Sequence, residues 1–191
     1  MAVKTFTTGE VLTASDTNTF LANAGLVYVT STTVSAGAAS VTIANCFSST
    51  YDNYRVVISG ARCTTGARFV SAQLRVGGTT STTGYYHARI EASPVSSAQA
   101  LNDSVWTWAI VVDSTAGTNN YAGGSVDIFN PNNAVETSYT ANGTDPRTTG
   151  AFYRSGAGWH DVATAYTDLV LSIASDSWNA GLITVYGYRK A

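Results

Sequence analysis

Hydrophobic and polar residues alternate with a period of two along most of this chain, the pattern of half-buried β-strands. The clearest run is Tyr51-Asp52-Asn53-Tyr54-Arg55-Val56-Val57-Ile58-Ser59-Gly60, in which an Asp-Asn turn feeds a strand. Tyr54, Val56 and Ile58 point one way and Arg55, Val57 and Ser59 the other. With apolar residues on both faces, the run reads as a central strand packed on both sides. Its counterpart is the alternating segment 182–189 near the other end of the chain.

Short alternating runs bounded by turn residues recur about every ten residues after Gly25, the spacing of a β-sandwich. They predict strands at 27–33, 40–44, 54–60, 68–76, 85–92, 105–112, 125–129, 136–141, 150–154, 168–174 and 182–188. The fold expected is all-β, a two-sheet antiparallel β-sandwich of jelly-roll-like type. Turns are expected at Gly77-Gly78 with 79–83, at 116–120, at Asn130-Pro131-Asn132-Asn133, at 142–146 and at 155–158. Pro131 and Pro146 fall in these breaks and Pro94 in the predicted loop 93–104, as strand chemistry requires. The Ser- and Ala-rich segment 93–104 reads as an exposed, mobile loop. In 105–112, Trp106, Trp108, Ile110 and Val112 share one face, which is expected to be core, with Val105, Thr107, Ala109 and Val111 opposite.

The first 25 residues follow another pattern. Thr13-Ala14-Ser15-Asp16 has the form of a capping box, Phe20, Leu21 and Ala24 share a helical face, and Gly25 is a stop. A short helix over 14–24 is expected. Helices below ~12–15 residues are marginal alone, so Phe20 and Leu21 must be buried against this domain or a neighbouring subunit. The chain divides into an N-terminal arm with its helix, 1–25, and one β-sandwich domain, 26–191.

Composition narrows the function. Charged residues are 12% of the chain against roughly 25% in an ordinary soluble protein, while Thr, Ser and Gly make up 65 of the 191 residues. The surface is neutral and hydroxyl-rich. With a net charge of −2 and lysine only at Lys4 and Lys190, nothing neutralises a phosphate backbone, and nucleic acid is excluded as a partner. No apolar run approaches the ~20 residues of a membrane helix, and the first residues contain no signal-peptide core, so neither membrane insertion nor secretion is expected. Cys46 and Cys63 lack metal-ligand spacing and read as buried free thiols rather than a bridge.

Candidate chemistry is sparse. His87 and His160 are the only histidines, and no Gly-x-Ser-x-Gly elbow accompanies them. Trp159-His160-Asp161 is the best polar cluster, and a local hydrogen-bond arrangement explains it better than catalysis does. Glu91, Asp127 and Asp168 fall on separate strands, so no pair of glycosidase carboxylates is evident. No calcium loop or zinc spacing occurs, and no cofactor or metal is expected. Tyr121, Tyr153, Trp159 and Trp178, with His160, are the residues that would contact a glycan, although sheet packing is the commoner use of such aromatics.

Two stretches carry a resemblance. Phe6-Thr-Thr-Gly-Glu-Val-Leu-Thr-Ala-Ser-Asp-Thr-Asn18 resembles the start of many tail and fibre proteins of tailed bacteriophages, where a Phe-x-x-Gly-x-Val-Leu-Thr-Ala-x-Asp-x-Asn run precedes a short helix. The segment 47–55 and the ending 183–189 look like a β-domain of phage virion proteins. The resemblance implies a non-enzymatic virion structural protein, assembled in the host cytoplasm and fixed to other virion proteins through Phe6, Val11, Leu12, Thr13, Asp16, Asn18, Phe20 and Leu21. A tail or fibre component presenting its β-sandwich for host-surface contact or assembly is the first expectation. A capsid decoration protein and a carbohydrate-binding or carbohydrate-active appendage are the alternatives. A homo-oligomer, by family habit a trimer, is implied as well.

Overall fold

A computed structural model describes residues 7–11, 13–16, 25–92, 95–114, 122–147 and 150–190, with backbone alone at 16, 95, 145–147 and 150–152. The strands are β1 (Leu26–Thr33), β2 (Ser40–Ile43), β3 (Asn53–Cys63), β4 (Arg68–Val76), β5 (Thr79–Thr80), β6 (Tyr85–Ala92), β7 (Val95–Asp103), β8 (Trp106–Val112), β9 (Ala122–Phe129), β10 (Thr137–Arg147), β11 (Gly150–His160), β12 (Asp168–Ile173) and β13 (Trp178–Tyr188). They form two antiparallel sheets. The larger has the order β1-β13-β3-β9-β10-β11-β6-β7, and the smaller runs β2-β12-β4-β5, with β8 also pairing with β4. Side chains from both sheets meet in one core, so the arrangement is sandwich-like.

The run around Tyr54 is an inner strand. Val56 and Ile58 stand opposite Val185 and Ile183 on β13, and opposite Val126 and Gly124 on β9. Tyr54, Val56 and Ile58 are at most 1% exposed. On the other face Arg55 and Val57 are half-buried and Ser59 is exposed, so the strand packs on one side only and not on both as its composition suggests. Tyr54 anchors the turn before it: its hydroxyl donates to the Ser48 carbonyl and accepts from the Ser48 N–H, both at 2.7 Å.

Strand β8 explains several departures from expectation. Its tryptophan face is core, but the opposite face is buried too, with Ala109 at 0% and Val111 at 1% exposure. The strand lies hard against the larger sheet, and glycines make room for it. A Cβ at Gly143 would sit 2.3 Å from the Ala109 carbonyl oxygen, and one at Gly124 would sit 2.8 Å from Cγ1 of Ile110. Gly143 therefore lies inside β10, and the expected turn at 142–146 does not exist. Likewise 155–158 is strand, part of β11, where a Cβ at Gly158 would meet the Tyr86 carbonyl oxygen at 2.1 Å. Glycine inside a strand marks a close approach as readily as a turn. Pro146 also falls in β10, at a point where β11 pairs with the strand but β9 no longer does, so a missing N–H costs no ladder bond on that side.

The segment expected to be a mobile loop is largely strand β7, paired along its length with β6. Its Ser, Ala and Gln residues carry little strand propensity, and the backbone ladder holds them at the edge of the sheet. Pro94 lies outside the described residues. Of the helix expected over 14–24, the described residues show a three-residue turn, Ala14–Asp16, and no more; residues 17–24 lie outside the description. Cys46 and Cys63 are buried and free, as expected.

Candidate functional site

The outward face of the larger sheet holds the site. Register places Gln99, Ala88, Ala157 and Thr140 in one row across β7, β6, β11 and β10. The next row is Tyr86, Trp159 and Ser138, ending at Phe129 on β9. On the other side lie Ser97, Ile90, Ser155 and Asn142. Because the middle row is small, the sheet is hollow between the Trp159–Tyr86 pair and Ile90. Two hollows of about 420 and 700 Å³ share Ala88, Gln99, Thr140 and Ala157. Each falls in the size range of ligand pockets.

Trp159 is held in place from two sides. Its ring lies parallel to that of Tyr86, with centroids 4.9 Å apart and planes 3° apart. Beneath it, the indole N–H of the buried Trp106 donates to the Trp159 carbonyl at 3.0 Å. The Tyr86 hydroxyl is hydrogen-bonded to the Asp161 carboxylate, which raises its pKa. Even so, Trp159 remains 46% exposed. Among the described residues the hollows have no charged lining beyond Arg89, whose guanidinium turns away from the groove, 4.0 Å over the Phe69 ring on the smaller sheet.

Tyr153 joins Trp159 on the same outward face of β11, six residues and about 20 Å along the strand. It is 53% exposed, and its hydroxyl donates to Asn142 Oδ1 at 2.7 Å. The two aromatics thus bracket a surface of small and hydroxylic residues, flanked by the exposed Ile90 and Leu101. Tyr121 lies outside the described residues.

The other expected contacts are corrected. His160 is fully buried and stacked on Tyr85, with ring centroids 4.2 Å apart. Its Nδ1 lies 3.0 Å from the Gly84 carbonyl, which can only accept, so Nδ1 carries the proton and Nε2 accepts from the Tyr166 hydroxyl at 2.8 Å. Desolvation lowers its pKa, keeping the ring neutral. Alternation along β11 turns it inward, beside the outward Trp159. Trp178 is also fully buried, at the start of β13, and cannot touch a ligand.

The carboxylates singled out in the sequence are each taken by an arginine. Asp127 accepts from Nε and Nη2 of Arg55, both at 2.7 Å, and from the Tyr188 hydroxyl at 2.6 Å. Burial alone would raise the Asp127 pKa, but these bonds outweigh it and the pKa falls. Glu91 pairs with the buried Arg154 at 3.0 Å, and Asp168 lies 4.0 Å from Arg75. Among the described residues no group of three or more His, Cys, Asp or Glu side chains could hold a metal, and no helix is long and apolar enough to cross a membrane.

Of the arm residues assigned to anchoring, Val11 is 78% exposed and Thr13 is exposed. Asp16 is described by its backbone alone, and Phe6, Leu12, Asn18, Phe20 and Leu21 lie outside the described residues. Residues 7–11 and 13–15 are all exposed, and among the described residues the first member of the core is Val34.

Sequence reasoning found Trp159 and Tyr153 but missed Tyr86, Ala88 and Gln99. The small-residue run 155–158 was the available signal, and it reads equally well as a turn. Against family models, curated proteins and solved structures, the chain finds no match.

Proposed function

We propose that this chain is a non-enzymatic structural protein of a tailed-phage virion, a tail or fibre component fastened through residues 1–25 and displaying its two-sheet domain for host-surface contact or assembly. One observation carries the reading: residues 7–11 and 13–15 are exposed and contribute nothing to the core, whose first member among the described residues is Val34. An arm carrying an apolar Val11 that its own domain leaves 78% exposed suits attachment to another surface. The arm joins the domain at edge strand β1, five strands from β11, or about 24 Å from Trp159 by the usual spacing. Attachment at one edge leaves the aromatic face clear. The resemblance of residues 6–18 to phage tail and fibre proteins supplies the identity of the partner.

The buried, doubly bonded His160 and the arginine-paired carboxylates support the non-enzymatic part of the reading. The connectivity is read as jelly-roll-like, because β1 pairs with β13 and β2 with β12, the wrapping of the first strands onto the last that such folds use. A trimer assembled in the host cytoplasm is part of the same proposal. Electron microscopy of purified particles labelled with antibody to this chain tests it. Label at the tail is the expected result; label over the capsid makes the chain a decoration protein, and no label in particles overturns the virion reading.

A further inference from the structure

We propose that the outward face of the larger sheet, from Trp159 along β11 to Tyr153, is a binding site for a neutral oligosaccharide. The inference deepens the display role proposed above and rests on it only for the source of the sugar, a host surface. Four features on that face select the ligand. Trp159 and Tyr153, 46% and 53% exposed, offer apolar ring surface for the C–H faces of sugar rings. Between them the hollows of about 420 and 700 Å³ have an Ala88 and Ala157 floor, level enough for an extended chain. Thr140, Ser155, Asn142 and Gln99 supply hydroxyl and amide groups to meet sugar hydroxyls. Among the described residues no charged group reaches the hollows, since Arg89 is drawn off over Phe69, so a uronate or phosphate would find no cation there to replace its water.

The same geometry argues against a peptide. Strands β10, β11 and β6 are hydrogen-bonded on both sides through this region, so a chain lying across this face finds no open edge to pair with, the sheet's free edge being at β7 to one side. A peptide laid there would leave its backbone groups without partners, whereas a sugar brings hydroxyls that suit isolated side-chain partners. The parallel Tyr86 ring holds Trp159 upright before any ligand arrives, so binding loses little side-chain freedom.

The full chain applied to an array of immobilised glycans tests the site, using neutral hexose, pentose and N-acetylhexosamine oligosaccharides of graded length beside sialylated, uronate and phosphorylated ones. Binding to a neutral glycan, strengthening with length, is expected. Trp159→Ala and Ala157→Arg should each weaken it by about tenfold or more, a change of ~1.4 kcal/mol. Tyr28→Ala, at an aromatic 60% exposed on β1, should leave it unchanged. Circular dichroism melting establishes that each variant is folded, and Ala157→Arg blocks the floor while leaving the aromatic pair in place. Absence of binding to every neutral glycan, binding to acidic glycans alone, or wild-type binding by both site variants overturns the proposal. Particle labelling reads the virion role separately: a chain that binds neutral glycans but is absent from particles loses that role and keeps this site, and a particle protein that binds none does the reverse.

Discussion

Trp159 and Tyr86 stack face to face on neighbouring strands, 4.9 Å apart and within 3° of parallel, on the outside of the protein. Stacking there still leaves nearly half of Trp159 in water, so much of its value lies in fixing the ring. Trp159→Ala should therefore cost the ~0.5–1.5 kcal/mol of the aromatic pair plus the burial of about half a ring, well short of a core tryptophan. Trp108→Ala, at a fully buried ring, should cost about 3–5 kcal/mol. Urea denaturation of both variants checks the difference, and equal losses would place Trp159 in the core.

Ile58 and its partner Ile183 lie on adjacent inner strands of the larger sheet, both at most 1% exposed. Truncating the fully packed Ile58 to Ala should cost on the order of 2–5 kcal/mol, because a cavity adds to the lost transfer energy. The exposed Val135, truncated in the same way, should change stability by no more than about 0.5 kcal/mol. Comparable losses at the two sites, again by denaturation, would show the core to be elsewhere.

Much of this was legible in the sequence. The two-faced run at 54–58 and the alternating ending at 182–188 announced the pair that structure places side by side, because adjacent inner strands of one sheet share an apolar inward face. What the sequence hid were strands made of residues that also make turns. Gly143, Gly156 and Gly158 are small because β8 or the neighbouring strand crowds them, and that crowding is a tertiary fact with no local signature. For the same reason the groove was half visible: Trp159 declared itself as an aromatic, but its floor of Ala88 and Ala157 looked like filler. His160 was misplaced because it sits beside Trp159 in sequence and on the opposite face in the strand.

Gly143 gives the crowding a test. Gly143→Ala puts a methyl group 2.3 Å from the Ala109 carbonyl oxygen, and overpacking of this kind costs about 1–3 kcal/mol. Calorimetric melting should show the loss. An unchanged melting temperature would mean that β8 does not lie against β10 as described.

Acid should destabilise the protein in two stages. His160 and His87 are buried, and desolvation lowers both pKa values in the folded state. Below an unfolded value near 6.5 the unfolded chain takes up protons that the folded chain refuses, so stability falls as pH drops from 7 toward 5. The lowered Asp127 pKa acts later, its contribution being full above ~3.9 and lost as pH falls through the folded value. Denaturation midpoints at pH 7, 6 and 5 check the histidine stage, and a midpoint that is flat or rises on acidification contradicts it.

Both thiols should be silent in the native protein. Burial pushes Cys63 to about 12 and Cys46 higher still, so neither forms thiolate at neutral pH. A chromogenic disulfide reagent should find no reactive thiol until denaturant is added, and then both. A denatured, unreduced count of zero would mean that the two are bridged.

The anchoring claim stands or falls on the arm. Particles grown with a chain shortened to residues 26–191 in place of the full one should lack the protein, while the shortened chain accumulates in the cell as a soluble, folded domain with the melting temperature of the parent. Particles that incorporate the shortened chain at the parent level would contradict the claim, since residues 1–25 would then not be what fastens the domain.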